Sequence, residues 1–119
     1  MTTPKIIDDP LYQLLREGQT GVFNLRREAG DACDLRGTDL SGLDLRGLDA
    51  DGLDLRDCYL RQADLRGVDL SGARLEGASI AGAKISGAYF PAELAPEEIS
   101  LSLLHGTRMR RRHGEPDGR

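Results

Sequence analysis

Twelve five-residue blocks follow one another without insertion between residues 33 and 92. The first and third positions of each block carry apolar side chains, with Thr38 as the one polar exception. The second and fourth positions are mostly charged or hydroxylic, and nine blocks end in glycine. This strict five-residue period is the feature that most constrains the fold.

Neither regular secondary structure can bury one face of such a repeat. An α-helix has about 3.6 residues per turn, so a five-residue apolar period would spread over its whole surface. Regularly spaced glycines would each cost such a helix about 1 kcal/mol. In a flat strand, residues five apart lie on opposite faces. The pattern instead predicts a chain that turns once per block, with the first and third side chains inside and glycine near each corner. That is an all-β solenoid.

The block at residues 63–67, ADLRG, resembles the A-(D/N)-L-x-x signature of the pentapeptide repeat family. This resemblance covers residues 33–92 and implies a right-handed quadrilateral β-helix with four blocks per coil and one block per face. We therefore expect about three coils, in which residues 20 apart stack. The blocks depart from the signature with leucine at its alanine position, at Leu43, Leu48 and Leu53. A leucine-rich repeat of about 20 residues is the rival interpretation, but its pattern is uneven within the repeat.

The third-position side chains are predicted to form the core ladder of this solenoid. Its members are Leu35, Leu40, Leu45, Leu55, Leu60, Leu65, Leu70, Leu75, Ile80, Ile85 and Phe90. Ala50 takes the same position in the fourth block. Cys33 and Cys58 fall on different faces of different coils, so we expect two reduced thiols and no disulfide.

Four segments follow from this pattern. We predict an N-terminal helical cap over residues 1–32, the β-helix over 33–92, a C-terminal helix over 93–107 and a basic flexible tail over 108–119. An open solenoid needs its ends covered, and both flanks carry apolar residues at helical spacing. The helical caps at both ends are therefore expected to act as lids.

The C-terminal helix has more apolar surface than one coil end requires. The residues concerned are Ile99, Leu101, Leu103 and Leu104. Relatives in the resembling family dimerise through a C-terminal helix, and a two-fold contact would bury the remainder. We therefore expect a homodimer through this helix.

One face of the predicted coil is distinctly acidic. Asp49, Asp51 and Asp69 have no arginine in their own blocks, whereas the aspartates of the first and third faces lie two residues from an arginine. This candidate interaction face would suit a protein partner that remains unidentified. The alternative interpretation is a solvated charged surface that keeps the solenoid soluble.

The only basic cluster is at the C-terminus, at Arg108, Arg110, Arg111 and Arg112. We expect nucleic acid to bind at most weakly through this tail, because no aromatic residues alternate with the arginines. The alternatives are a solvated, disordered terminus, or a tail that lies on the acidic face of another copy.

No arrangement of residues indicates catalysis. His105 and His113 lie at or beyond the last helix, and no spacing typical of metal ligands or of a phosphate-binding loop occurs. We expect no cofactor, no metal site, no membrane segment and a cytoplasmic location.

The sequence favours a non-catalytic protein-interaction or scaffold module. The alternative, implied by the resemblance, is a DNA mimic that regulates or protects a type II topoisomerase such as gyrase. Duplex DNA carries one charge per about 1.7 Å, whereas the repeats hold ten acidic and seven basic residues over three coils. Charge therefore weighs against the alternative.

Overall fold

The computed structural model describes residues 3–112. It contains three helices, α1 (Pro10–Arg16), α2 (Thr20–Glu28) and α3 (Pro96–His105). Among the described residues, no helix is long and apolar enough to cross a membrane. His113 and the rest of the predicted tail, residues 113–119, lie outside this part of the chain.

Local chemistry sets the helix ends. The Asp9 carboxylate caps α1 by accepting from the backbone N–H of Leu11 at 2.8 Å, and Pro10 occupies the first helical position, where no N–H is needed. At the other end of the chain, α3 begins with a proline and is followed by Gly106, whose φ of 73° is the left-handed conformation that ends many helices.

Between α2 and α3 the chain winds in coils of 20 residues. Parallel bridges join residues 20 apart, for example Asp39 with Tyr59 and Tyr59 with Ser79. Each bridge consists of two backbone hydrogen bonds: Tyr59 N–H donates to the Thr38 carbonyl at 3.0 Å, and Leu40 N–H donates to the Tyr59 carbonyl at 2.8 Å. All bridges among the described residues are isolated, since between coils only the second residue of a block pairs before the chain turns again.

The corners of the coils are β-turns. At the first corner, Thr38 N–H donates to the Leu35 carbonyl at 3.1 Å and Gly37 has a φ of 71°. A positive φ at the third turn residue alone defines a type II turn, which favours glycine. Asp57 and Gln62 adopt the same conformation with φ of 63° and 58°, although neither is glycine.

Third-position side chains fill the interior of the coils. Nine of the eleven residues in the predicted core ladder are at most 2% exposed, while Ile85 and Phe90 in the last coil are only partly buried. Leu48 and Leu53 are also buried, so first-position leucines fit inside the coil. Thr38, the polar exception, is fully buried, and its hydroxyl donates to the Leu35 carbonyl at 2.7 Å.

The N-terminal residues close the first coil on one side. Lys5 pairs with Thr38 as a parallel bridge, with Lys5 N–H donating to the Gly37 carbonyl at 3.0 Å. The buried Tyr12 of α1 donates its hydroxyl to the Asp39 carbonyl at 2.6 Å. Helices and a short extended segment therefore replace a preceding coil.

Side chains of α2 close another part of the same edge. Thr20 Oγ1 donates to the Arg46 carbonyl at 3.0 Å, and Asn24 Nδ2 donates to the Gly47 carbonyl at 2.9 Å. These helix residues are four apart and lie on one helix face. One face of α2 thus donates hydrogen bonds to carbonyls of the first coil, which have no preceding coil to bond with.

The basic segment at the C-terminal end differs from its prediction. The sequence predicts a flexible tail from Arg108, but Met109 is fully buried and pairs with the last coil. Gly77 N–H donates to the Met109 carbonyl at 2.7 Å, and Met109 N–H donates to the Ala78 carbonyl at 2.9 Å. The prediction of a flexible tail is therefore wrong for residues 108–112, because the coil edge offers backbone partners and an apolar site for Met109.

Replacing Met109 with alanine should destabilise the fold by about 2 to 5 kcal/mol, the usual cost of truncating a buried methionine. Urea unfolding followed by circular dichroism gives this free energy. The control is Leu25→Ala, which truncates a side chain that is 66% exposed and should change stability by less than about 0.5 kcal/mol. Equal small effects of both changes would contradict the packing of Met109.

A second prediction concerns the corners. Gly42 has a φ of 71° with open space where a Cβ would lie, so Gly42→Ala should cost about 1 to 2 kcal/mol through backbone strain alone. Gly21, in α2, also has open space but no positive φ. There the same substitution should stabilise the protein by about 0.5 kcal/mol. Thermal unfolding of the two variants should therefore move in opposite directions.

Candidate interaction surface

The three acidic residues predicted as an interaction face are all exposed on the coils. Asp69 stacks beneath Tyr89 as a parallel bridge, and Tyr89 is 67% exposed. The Asp69 carboxylate accepts from the Ser71 hydroxyl and backbone N–H, and these bonds lower its pKa. Asp49 likewise accepts from the Asp51 N–H at 3.2 Å. No salt bridge within residues 3–112 involves Asp49, Asp51 or Asp69. We call these three residues the acidic strip.

Arg27 lies at the N-terminal end of the acidic strip. This contact was not predicted from the sequence. The Arg27 guanidinium, on α2, donates to the Asp49 carbonyl at 2.8 Å and to the Asp51 carbonyl at 3.0 Å. Arg27 lies on the same helix face as Thr20 and Asn24, because its spacing from both is helical. This spacing was the only feature of the sequence that could have indicated the contact of Arg27 with the coil. The strip therefore runs from an arginine to an exposed tyrosine.

Other aspartates of the coils are paired with arginines two residues further along. Arg36, Arg46, Arg56 and Arg66 each hold the carboxylate of the preceding Asp34, Asp44, Asp54 and Asp64 at 2.6 to 2.8 Å. Each pair is bidentate, because the guanidinium Nε also donates to the second carboxylate oxygen. These pairs lie on the first and third faces of the coil. On both faces the aspartate charges are therefore neutralised by arginines of the same block, as the two-residue spacing predicted.

The pairing changes the acidity of the carboxylates. The Arg46 hydrogen bonds lower the pKa of Asp44 to about 2, and those of Arg66 hold the pKa of Asp64 well below its usual range. Asp64 also lies 3.4 Å from Nε of Arg46 in the coil below. It is the one nearly buried carboxylate of the coils, with two arginines around it.

The apolar residues of α3 divide into two sets. Ile99 and Leu103 pack against the core, whereas Leu101 and Leu104 are 42% and 75% exposed. Ser102 is fully buried and its hydroxyl accepts from the Ile80 N–H at 3.0 Å. Half of the predicted dimer contact is therefore already used to close the coil, and only Leu101 and Leu104 remain exposed.

The arginines that follow α3 are held on the protein. Arg108 donates to the Gly77 carbonyl at 3.0 Å and to the Tyr59 hydroxyl at 2.5 Å, and its guanidinium lies 5.2 Å from the centre of the Tyr59 ring. Arg110 forms a salt bridge of 3.0 Å with Glu98. These contacts leave less cationic surface than four free arginines would.

The last two arginines of the cluster also lie against the C-terminal end. Arg112 donates from Nε to the Ala92 carbonyl at 2.9 Å, and Arg111 is half-buried. A cavity of about 410 Å³ lies here, lined by Ala95, Glu97, Glu98, Arg110, Arg111 and Arg112. Its charges are mixed, so it presents no uniform basic patch.

The described residues contain no group of three or more side chains that could hold a metal ion. Both cysteines are free. Burial raises the pKa of Cys33 to about 12 and that of Cys58 to about 11, so both thiols are protonated at neutral pH. A protonated thiol is a poor nucleophile.

Comparison with known families agrees with this geometry. The family model "Pentapeptide repeats (8 copies)" matches residues 31–62 and 54–90, which together span half of the chain. The chain belongs to the pentapeptide repeat family, so the leucine-rich alternative is wrong. Pentapeptide repeats generally form a right-handed β-helix, and proteins of this family are generally non-catalytic. No curated protein and no solved structure matches the chain.

The arginine pairs predict a specific titration. Replacing Arg66 with glutamine should raise the pKa of Asp64 toward its ordinary value, because the main donor to its charged form is lost. A carboxyl whose pKa is lowered by folding stabilises the fold above its unfolded pKa, and this contribution disappears as the pH falls through the folded pKa. The stability lost in this variant should therefore be visible above pH about 4 and vanish in stronger acid.

Carboxyl carbon chemical shifts measured by NMR between pH 1.5 and 6 would follow Asp64 directly. Asp44 is the internal control, because its own partner Arg46 is unchanged and its pKa should stay near 2. An unchanged titration of Asp64 would show that Arg66 does not hold it.

Proposed function

We propose that this protein is a non-catalytic interaction module, a short right-handed quadrilateral β-helix that presents the acidic strip to a basic surface of a protein partner. The observation that carries this proposal is the contrast in charge pairing. Four aspartates on neighbouring faces are each held by an arginine, whereas Asp49, Asp51 and Asp69 lack a salt bridge among the described residues. Exposed, unneutralised carboxylates of one sign attract a partner of opposite sign and set its orientation.

The geometry of the acidic strip supports this role. The coil backbone fixes the strip, because Asp49 N–H donates to Asn24 Oδ1 at 3.0 Å and Asp69 pairs with Tyr89. Little conformational entropy is therefore lost when a partner binds. Tyr89, at the end of the strip, adds a large exposed ring of the kind enriched at protein interfaces.

Capture of proteins from a cytoplasmic extract tests the proposal. Immobilised full-length protein should retain a discrete partner, and Asp49→Asn/Asp51→Asn/Asp69→Asn should lose it. Asparagine keeps the oxygen that accepts from the turn N–H, so the fold should stay intact. The matched control, Asp8→Asn/Glu17→Gln/Glu28→Gln, removes three charges from exposed residues elsewhere and should retain the partner. Equal retention by both triple variants would refute a role of the strip.

We further propose a homodimer through the exposed part of α3. Leu101 and Leu104 are large apolar side chains at the surface, and a two-fold contact would remove both from water. Light scattering after size exclusion should give twice the 13.0 kDa of one chain at tens of micromolar, and Leu104→Glu should give one chain mass. A single-chain mass for the unaltered protein would end this proposal.

Mimicry of DNA toward gyrase receives less support than the interaction role. The paired aspartates are neutralised within their own blocks, and the repeats carry a net charge of only −3 over three coils. A mimic needs a dense, uncompensated row of charges. Gyrase supercoiling and its inhibition by quinolones should therefore be unchanged by a large excess of this protein.

A further inference from the structure

Each coil offers the same backbone groups to the coil above it. These groups are the carbonyl of the first residue of a block and the N–H groups of the third and fifth. In the second coil, the Ala63 carbonyl accepts from Lys84 N–H at 2.9 Å, and Leu65 N–H donates to the Lys84 carbonyl at 2.8 Å. Gly67 N–H donates to the Ser86 carbonyl at 2.9 Å. The third coil therefore covers the second completely on this face.

The last coil repeats these groups, but fewer than half of them find a backbone partner within residues 3–112. On one half, Met109 bonds to Gly77 and Ala78, and the Leu103 carbonyl accepts from Gly82 N–H at 2.9 Å. On the other half, residues 83–90, the outward groups make no backbone hydrogen bond within residues 3–112. These groups are the carbonyls of Ala83 and Ala88 and the N–H groups of Ile85, Gly87 and Phe90. We call this half of the last coil the open edge.

The side chains around the open edge have a defined character. Ile85 and Phe90 point into the coil from third positions, yet they are only partly buried because nothing above covers them fully. Lys84 is exposed and makes no salt bridge in the described part of the chain. It continues a column whose lower members are Asp44 and Asp64. An acidic group above Lys84 would place an opposite charge on each side of it in this column.

The C-terminal cap, formed by α3 and residues 107–112, limits what can bind at the open edge. Leu103 and Met109 bond directly to the edge of the last coil, so α3 and residues 107–112 already occupy the level of a fourth coil over the other half. A second copy that stacked its own last coil here would collide with them. A single extended strand needs only the uncovered half. The space therefore suits a peptide segment and not another coil stack.

We propose that the open edge binds an extended peptide segment of a partner protein, in which an acidic residue is followed by a large aliphatic one. The segment would add a partial fourth coil by β-augmentation. Its acidic residue would pair through the backbone with Ala83 and Ile85 and place its carboxylate beside Lys84. The following aliphatic side chain would cover Ile85. This inference extends the proposed interaction role to a second surface, which adjoins the acidic strip at Tyr89 but uses backbone groups and Lys84 in place of the strip's carboxylates and of the exposed leucines of α3.

A peptide with the sequence of residues 63–72, ADLRGVDLSG, is a suitable probe, because those residues cover the equivalent faces one coil below. With N-acetyl and C-amide ends, it should bind the full-length protein saturably at millimolar or lower concentration. Hydrogen exchange measured by NMR should show slower exchange at Ile85, Gly87 and Phe90. The amides of Leu65 and Leu70, already bonded to the coil above, are the internal control and should not change.

Charge reversal tests the predicted contact. Lys84→Glu should weaken binding of this peptide about fivefold, as expected for loss of an exposed ion pair. A second peptide has lysine in place of the aspartate that corresponds to Asp64. It should bind Lys84→Glu more tightly than it binds the unaltered protein. The variant Asp49→Asn/Asp51→Asn/Asp69→Asn should bind both peptides unchanged, so failure of the acidic strip and failure of the open edge are distinguishable. Leu104→Glu should likewise leave peptide binding unchanged.

Three results would overturn the proposal. The first is binding that leaves the three open-edge amides unprotected. The second is slow exchange at these amides in dilute protein without peptide, which would mean that the chain's own C-terminal residues occupy the edge. The third is protection that rises with protein concentration alone, which would identify a second copy as the occupant.

Discussion

The stacking of coils through backbone hydrogen bonds is the interaction on which the rest of this structure depends. In most blocks, one residue donates to and accepts from the coil 20 residues away, as Tyr59 does with Thr38 and Leu40. Because a block contributes at most one such residue, the coil holds together only if each corner turns by the same geometry. That requirement explains why most blocks end in glycine. It also explains why Asp57 and Gln62, which stand at the same position of their blocks, adopt a positive φ.

Any such stack has two ends at which the ladder of hydrogen bonds stops, and this protein treats them differently. At the first coil, Thr20, Asn24 and Arg27 of α2 donate side-chain hydrogen bonds to carbonyls that have no preceding coil. At the last coil, Met109 and Leu103 bond to part of the edge and leave residues 83–90 open. Unpaired strand edges attract other chains, so an end that is only partly covered is a place where a partner can bind.

The charge on each face of the coils also depends on whether its groups have partners. Where an arginine stands two residues after an aspartate, as with Asp64 and Arg66, the two charges satisfy each other and the face is close to neutral. Where the block holds no arginine, as at Asp69, the carboxylate is left to a turn hydroxyl and to solvent. The family accounts for the coil, while these local differences within the blocks distinguish one face from another.

The five-residue period by itself determined the coil, the inward third positions and the arginine pairs, because each depends only on neighbours within a block or one coil away. Only the tertiary structure placed Arg27 beside Asp49 and Asp51, buried Met109 among the last coil, and left residues 83–90 uncovered. These contacts occur once, and they join helices or chain ends to coils far away in sequence. No periodic pattern encodes them, since they depend on how the caps are oriented on the finished stack.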